Sequence, residues 1–383
     1  FFFKQKTAYE ILTCDWSSDV CSSDLSAIGI AFAGNLFTLF VFYEGLTLIT
    51  YPLVTHHGDD EAKRAGRVYI GLLVGTSIVF LLVAIIWTWS LSGTMEFAPG
   101  GILRGHASGT TIGILLALYI FGIGKAAVMP VHRWLPAAMV APTPVSALLH
   151  AVAVVKAGVF TVVKVIVYVF GVDAIAGLAS VEWLPFIAGF TIIAASIVAL
   201  RSDNLKRRLA YSTVSQLSYV VLGAALLAPL SVLGAALHIV AHAFGKITLF
   251  FAAGAIYTAA HKTAVSQLDG IGRRMPVTMA AFTLGTLSII GVPPFIGFLS
   301  KWYMLRGALE AHHWFAVAVL FGGTLLSAAY LLPVVYAAFF RREAAPAHHG
   351  AHGEAPAPVV IALAVSAAGT VDRKSTRLNS SHM

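Results

Sequence analysis

The 383-residue sequence predicts an all-α fold: a polytopic membrane helix bundle with inverted five-helix repeats and two broken helices. Three observations lead there. Hydrophobic residues make up 58% of the chain and charged residues only 11%, against about 25% charged in ordinary soluble domains. Apolar runs of about 20 residues recur along the chain, each long enough to cross a bilayer as a helix. Backbone groups in lipid must be satisfied within the segment itself, which makes such runs helical. The net charge of +8 does not point to nucleic acid, because the basic residues are scattered among short loops and form no basic domain.

The two ends read differently from the rest. Residues 1–25 mix charge, Ser and Cys without helical periodicity, and Asp15, Asp19 and Asp24 exclude a signal peptide. This stretch resembles the translated read-through of a sequencing-library adapter, and so does 372–383. The expected native portion is therefore 26–371, truncated at both ends. Both cysteines, Cys14 and Cys21, lie in the foreign stretch and say nothing about redox compartment.

Ten apolar segments follow, at 35–54, 67–90, 111–137, 143–170, 184–200, 208–227, 232–257, 276–306, 314–340 and 358–371. Residues 26–33 read as the tail of an earlier helix. Loop charge supports each segment in turn. Lys63, Arg64 and Arg67 follow the first, Arg104 the second, and the loop after the third is uncharged. Asp173 and Glu182 follow the fourth. Arg201, Lys206, Arg207 and Arg208 follow the fifth, and an uncharged turn at Pro229 follows the sixth. Lys262, Arg273 and Arg274 come next, then Arg306 with Glu310, then Arg341 and Arg342. The basic loops, the first, fifth, seventh and ninth, all fall on the same side of the membrane, and the positive-inside pattern makes that side cytoplasmic. His348, His349 and His352 lie in the last of these loops. Without Cys or fixed spacing they read as a polar linker, and no metal site is expected.

Several ionisable residues fall inside the segments: Glu44, Lys125, His150, Lys156, His238, His242, Lys246 and Lys301. A charge at a membrane-helix centre costs about 2.5–3.5 kcal/mol on the insertion scale, so five such charges approach ~15 kcal/mol. They must face the interior, pair, or meet water. His238, His242 and Lys246 are spaced i, i+4, i+8 and line one helix face about 12 Å long. With bridging water this stripe can pass protons, since histidine titrates near neutrality and burial disfavours the ammonium form of lysine. A Glu44–Lys125 pair can act as an electrostatic switch. His150 fits a structural imidazole equally well, and Lys164, near a segment end, reads as snorkelling to the interface. Pro130 and Pro136 interrupt the third segment; Pro293 and Pro294 interrupt the eighth. These breaks lie five segments apart in opposite orientation, each near a lysine, as expected for an ion site in an inverted repeat.

The stretch GKAAVMPVHRWLPAAMVAPTPVSALLHAVAVVKAGVF (124–160) closely resembles the signature of the proton-antiporter transmembrane family. That family comprises the antiporter-like subunits L, M and N of respiratory complex I, Mrp-type multisubunit Na⁺/H⁺ antiporters and membrane-bound hydrogenases. RSDNLKRRLAYSTVSQLSYVVLG (201–223), HIVAHAFGKITLFFAAGAI (238–256) and MPVTMAAFTLGTLSIIGVPPFIGFLSKW (275–302) resemble its later motifs, in order. The resemblance spans essentially all of 26–371. It implies that Glu44 partners Lys125 on the first broken helix. It implies that Lys156, His238, His242 and Lys246 form a central hydrophilic axis, and that Lys301 ends the second half-channel. The SKWYML context and YLLPVVYAAFF (330–340) look most like the D-type proteins of Mrp antiporters.

The resemblance thus implies a proton-translocating membrane subunit of a monovalent cation/H⁺ antiporter in a bacterial inner membrane. Its expected partners are other membrane subunits, protons, the lipid bilayer and Na⁺ as candidate counter-ion. The rival is a proton-pumping subunit of a complex I-like NADH:quinone oxidoreductase or hydrogenase; a third reading is a non-transporting scaffold. No Rossmann fingerprint or cluster-ligating cysteine set is present, so no cofactor and no catalytic residue is expected in this chain, and redox chemistry would belong to partners.

Overall fold

The computed structural model describes residues 16–342 and 353–371. Residues 1–15 and 372–383, most of the two stretches set aside above, lie outside the described residues, as do His348, His349 and His352. The described chain is helical, with no strand among the described residues.

Helix α1 (Trp16–Phe32) includes the expected helix tail at 26–33 and packs on α2 (Leu36–Val54). Asn35 caps α2, its side chain accepting from the Thr38 N–H at 2.7 Å. Helix α3 runs over Asp60–Ser92, with a π-helical stretch at Ser77–Leu82. It starts seven residues before the apolar run expected at 67. Asp59 caps it, and Asp60 and Glu61 favour its N-terminal dipole. Lys63, Arg64 and Arg67 therefore ride on the first turns of a helix. Then follow α4 (Gly109–Gly122), α5 (Thr143–Phe170), α6 (Trp183–Arg201), α7 (Leu205–Ala225), α8 (Pro229–Ala260), α9 (Pro276–Ile290), α10 (Ile296–Glu310), α11 (Trp314–Phe340) and α12 (Ala357–Ala368).

Six described helices are long and apolar enough to cross a membrane; α4, α9 and α12 are shorter apolar helices. Helix α7 is different. Ser212, Thr213, Ser215, Gln216 and Ser218 make it polar, yet every residue from Ser212 to Ala225 is buried. It runs between two hydrophobic clusters. One gathers residues mainly of α2 to α7; the other gathers residues mainly of α8, α9, α11 and α12. Leu205 and Leu209 belong to the second, and Val214 through Leu222 contribute to the first. A polar helix wrapped by apolar ones puts hydrogen-bonding groups at the centre of the bundle.

Both expected breaks are present, and both begin before the prolines. Helix α4 ends at Gly122, and the chain passes through short 3₁₀ turns around Lys125 and Pro130 before Trp134. Its freed groups find partners inside the protein, as membrane depth demands. The Trp134 indole N–H donates to the Gly124 carbonyl at 2.9 Å, and the Met129 N–H donates to Thr191 Oγ1 at 3.3 Å. Helix α9 ends at Ile290, and Gly291 adopts φ +87°, the left-handed conformation that closes a helix C-terminus. Pro293 and Pro294 then lead into α10.

Lys164, expected to snorkel to the interface, makes its contacts at the end of α1. Its ammonium is buried, donating to the Ala33 carbonyl at 2.6 Å and the Ala31 carbonyl at 3.2 Å, 4.5 Å from the Phe97 ring centroid. It caps the C-terminal end of α1, where a cation suits the exposed carbonyls.

Candidate functional site

The broken third segment and α2 hold Lys125. Gly158 of α5 lets the two backbones meet: a Cβ there would sit 2.3 Å from the Lys125 carbonyl carbon. The Lys125 ammonium donates to the Tyr43 carbonyl at 2.7 Å and to Thr47 Oγ1 at 2.6 Å, and lies 3.3 Å from the Tyr43 ring centroid. The Lys125 backbone N–H donates to the Tyr43 hydroxyl at 3.1 Å. The expected direct Glu44–Lys125 pair is not formed. Tyr43 and Thr47 are four residues apart on one face of α2, whereas Glu44 is turned about 100° away from Tyr43. Glu44 lies within electrostatic reach of Lys125, and its Oε1 is shielded with no hydrogen-bond partner.

Lys156 (α5) meets His242 (α8), Nζ against Nδ1. The Nε2 of His242 is buried without a partner. Lys246, one turn further along α8, donates to the Leu209 carbonyl at 3.0 Å and to Ser212 Oγ at 2.7 Å, both on α7. His238 is held between Gln216 Oε1 of α7 at 3.1 Å and Ser300 Oγ of α10 at 2.8 Å. The rings of His238 and His242 are 6.3 Å apart, so the α8 stripe is one buried face whose members bond to neighbouring helices. His150 is fully buried with both ring nitrogens unpartnered, 5.1 Å from the Phe250 ring.

Lys301 sits on α10 but reaches back across the second break. Its ammonium donates to the Ile289 and Ile290 carbonyls at 3.0 Å each, capping α9, and lies 4.7 Å from the Tyr219 ring centroid. Lys125 and Lys301 thus serve their breaks differently: the first stands within the break, and the second spans it. Pro130, Pro293 and Pro294 lie in the breaks.

Among the described residues, none of Lys125, Lys156, Lys246 or Lys301 forms an ion pair; the two described pairs, Arg306–Glu310 and Arg341–Asp269, are elsewhere. The four amines and the imidazoles of His238 and His242 rest on carbonyls, hydroxyls, one amide oxygen and one another, whereas His150 has no hydrogen-bond partner. The residues that sequence reasoning missed are the supporting ones: Tyr43, Thr47, Ser212, Gln216, Ser300, Ser327 and Tyr330. Their signal was present as polar residues three and four apart, such as Ser212/Gln216 and Ser327/Tyr330, inside apolar segments.

The fold and this site define an integral membrane helix bundle with two broken helices and a line of buried basic side chains. The chain belongs to the NADH:quinone oxidoreductase/Mrp antiporter transmembrane family, whose profile matches residues 33–327. It is 36% identical over 337 residues to NADH-quinone oxidoreductase subunit N of Desulforudis audaxviator, a match covering 86% of this chain and 65% of that protein. It is 34% identical over 294 residues to a probable K(+)/H(+) antiporter protein of the A/B type from Rhizobium meliloti, covering 75% of this chain and 28% of that one. The chain therefore spans less than two thirds of these relatives. The structure of the membrane-bound sulfane sulfur reductase, an archaeal respiratory membrane complex, contains a chain similar at TM-score 0.81 and 27% identity, over 97% of this chain and 74% of that one. A chain of the Mrp complex from Dietzia sp. shares the fold at TM-score 0.80 and 24% identity, over 94% and 75%.

Proposed function

We propose that this chain is the proton-translocating membrane subunit of a Mrp-type monovalent cation/H⁺ antiporter. It would reside in a bacterial inner membrane with other membrane subunits. One observation carries the reading: Lys125, Lys246 and Lys301 are buried with His150, His238 and His242, Lys156 is half-buried with its ammonium against His242, and none of the four lysines is neutralised by an ion pair among the described residues. Like charges at such spacing disfavour one another in a low-dielectric interior. Lys156, His242 and Lys246, which lie together, cannot all hold a proton at once, so a proton gained at one favours release from another. Glu44, within reach of Lys125 but not bonded to it, biases the first member electrostatically. Carbonyls and hydroxyls that accept from the Lys125, Lys246 and Lys301 ammoniums hold those amines in place without a fixed counter-charge, while Lys156 rests on His242.

The rival reading, a proton-pumping subunit of a complex I-like NADH:quinone oxidoreductase, is favoured by the subunit N relative at 36% identity. Everted membrane vesicles holding the full-length protein in its native assembly separate the two. The antiporter reading expects added Na⁺ or K⁺ to collapse an imposed pH gradient; the rival expects proton uptake driven by NADH and quinone. Under either, Lys125→Ala and Lys246→Ala abolish proton movement at unchanged membrane abundance. Wild-type proton movement in both variants would leave a structural scaffold as the remaining role.

A further inference from the structure

The α8 stripe places His238 and Lys246 two turns apart with His242 between them, but the hydrogen bonds run elsewhere. Lys246 Nζ donates to Ser212 Oγ at 2.7 Å. With that oxygen accepting from the ammonium, the Ser212 hydroxyl donates to Tyr330 Oη at 2.8 Å. Tyr330 in turn donates to Ser327 Oγ at 3.3 Å, and Ser327 donates to the Gly323 carbonyl at 2.8 Å. From the other end, Gln216 Nε2 donates to the same Ser327 Oγ at 3.2 Å, leaving Gln216 Oε1 to accept from His238 Nε2–H at 3.1 Å. Every side chain in this chain of contacts is buried. Two donor series, one from the lysine and one from the histidine, converge on one serine of α11.

We infer that Gln216 is a positioning residue that fixes the imidazole of His238 and links it to Lys246 through Ser327, Tyr330 and Ser212. The amide oxygen can only accept, so it requires a hydrogen on His238 Nε2. Protonation is then confined to Nδ1, which faces Ser300 Oγ at 2.8 Å. The Ser300 hydroxyl has two acceptors available, His238 Nδ1 and the Gly297 carbonyl at 2.9 Å. When His238 is neutral, Ser300 donates to Nδ1. When His238 is protonated, Nδ1–H donates to Ser300 Oγ and the hydroxyl hydrogen turns to Gly297. Both states are satisfied on the same heavy-atom frame, and only a hydroxyl rotation separates them. Preorganisation of this kind removes a rearrangement from proton transfer. The network also ties α7, α8, α10 and α11, so the lysine and the histidine are coupled through helices other than their own.

This inference rests on the proton-translocation reading, and the experiment separates the two. In everted vesicles containing the full native assembly, proton movement is measured for Gln216→Leu, Tyr330→Phe, Ser327→Ala, His238→Ala and Lys246→Ala, with membrane abundance checked by immunoblot. The ¹⁵N-histidine spectrum of the purified assembly reports the His238 tautomer, assigned by its loss in His238→Ala. Gln216→Leu is expected to slow proton movement about tenfold, equivalent to about 1.4 kcal/mol, and to convert His238 from a pure Nε2–H tautomer to a mixture. Tyr330→Phe and Ser327→Ala are expected to slow movement while the tautomer stays as in the wild type when Tyr330 is changed, because the Gln216–His238 contact remains. Wild-type rates in Gln216→Leu and in Tyr330→Phe or Ser327→Ala, with His238→Ala and Lys246→Ala inactive, would overturn the network and leave the translocation reading standing. An unchanged tautomer in Gln216→Leu would overturn it whatever the rate. Active His238→Ala and Lys246→Ala would instead sink the translocation reading itself.

Discussion

Gly158→Ala tests whether the placement of Lys125 depends on backbone contact between α5 and the first break. An added Cβ would lie 2.3 Å from the Lys125 carbonyl carbon, 2.4 Å from the Ala126 nitrogen and 2.6 Å from the Lys125 carbonyl oxygen, where ordinary contact begins at 3.4 Å. All three are backbone atoms, so no side-chain rotation relieves the clash, and the break must move by about 1 Å. Overpacking of this kind costs about 1–3 kcal/mol of stability. A shift of about 1 Å in a reacting group can cost roughly 10²-fold in rate. The ammonium bonds to Tyr43 and Thr47, at 2.7 Å and 2.6 Å, have little length to give. Proton movement in everted vesicles should therefore fall by about one to two orders of magnitude, with a lowered melting temperature for the purified assembly. Gly75→Ala on α3 is the control, since a Cβ there meets nothing within 4 Å. Gly158→Ala with the rate and melting temperature of Gly75→Ala would refute the reasoning.

Two further outcomes follow from the breaks and the caps. Trp134→Phe removes the donor to the buried Gly124 carbonyl, and an unsatisfied buried acceptor costs about 1–3 kcal/mol; thermal unfolding of the purified assembly should show the loss, and an unchanged transition would mean that this carbonyl is satisfied otherwise. Lys164→Met removes the cap on the Ala31 and Ala33 carbonyls and should lower stability by about 1.5–3 kcal/mol, the usual worth of hydrogen bonds to a charged group, while proton movement per assembled complex stays intact. A lost rate at normal abundance would add Lys164 to the proposed translocating line.

Much of the site was legible because charge inside an apolar segment is costly and therefore conspicuous. Lys125, Lys156, Lys246 and Lys301 stood out against their neighbours; three of them are buried, and Lys156 is half-buried with its ammonium against His242. The supporting groups were not legible in the same way. Serine, threonine and glutamine in a membrane segment carry small penalties and can satisfy themselves against their own helix. Thr213 does so, bonding back to Leu209, while Ser212 on the same turn bonds across to Tyr330. Which hydroxyl turns outward depends on what the neighbouring helix offers. The breaks were located by their prolines, yet both helices stop earlier, at Gly122 and Ile290, where the helical hydrogen bonding ends ahead of the prolines.

Local composition alone determined the membrane class, the succession of apolar segments and the identity of the basic line. Each of those follows from the cost of placing polar or charged groups in hydrocarbon, which any window of the chain reveals. The tertiary structure alone decided what each basic group touches. It set Lys125 on the backbone of Tyr43 rather than on Glu44, carried Lys301 back across its break, and joined His238 to Lys246 through α7 and α11. Hydrogen bonds between helices depend on distances of a few tenths of an ångström and on rotation about each helix axis. Packing of the whole bundle fixes both, and no single segment encodes them.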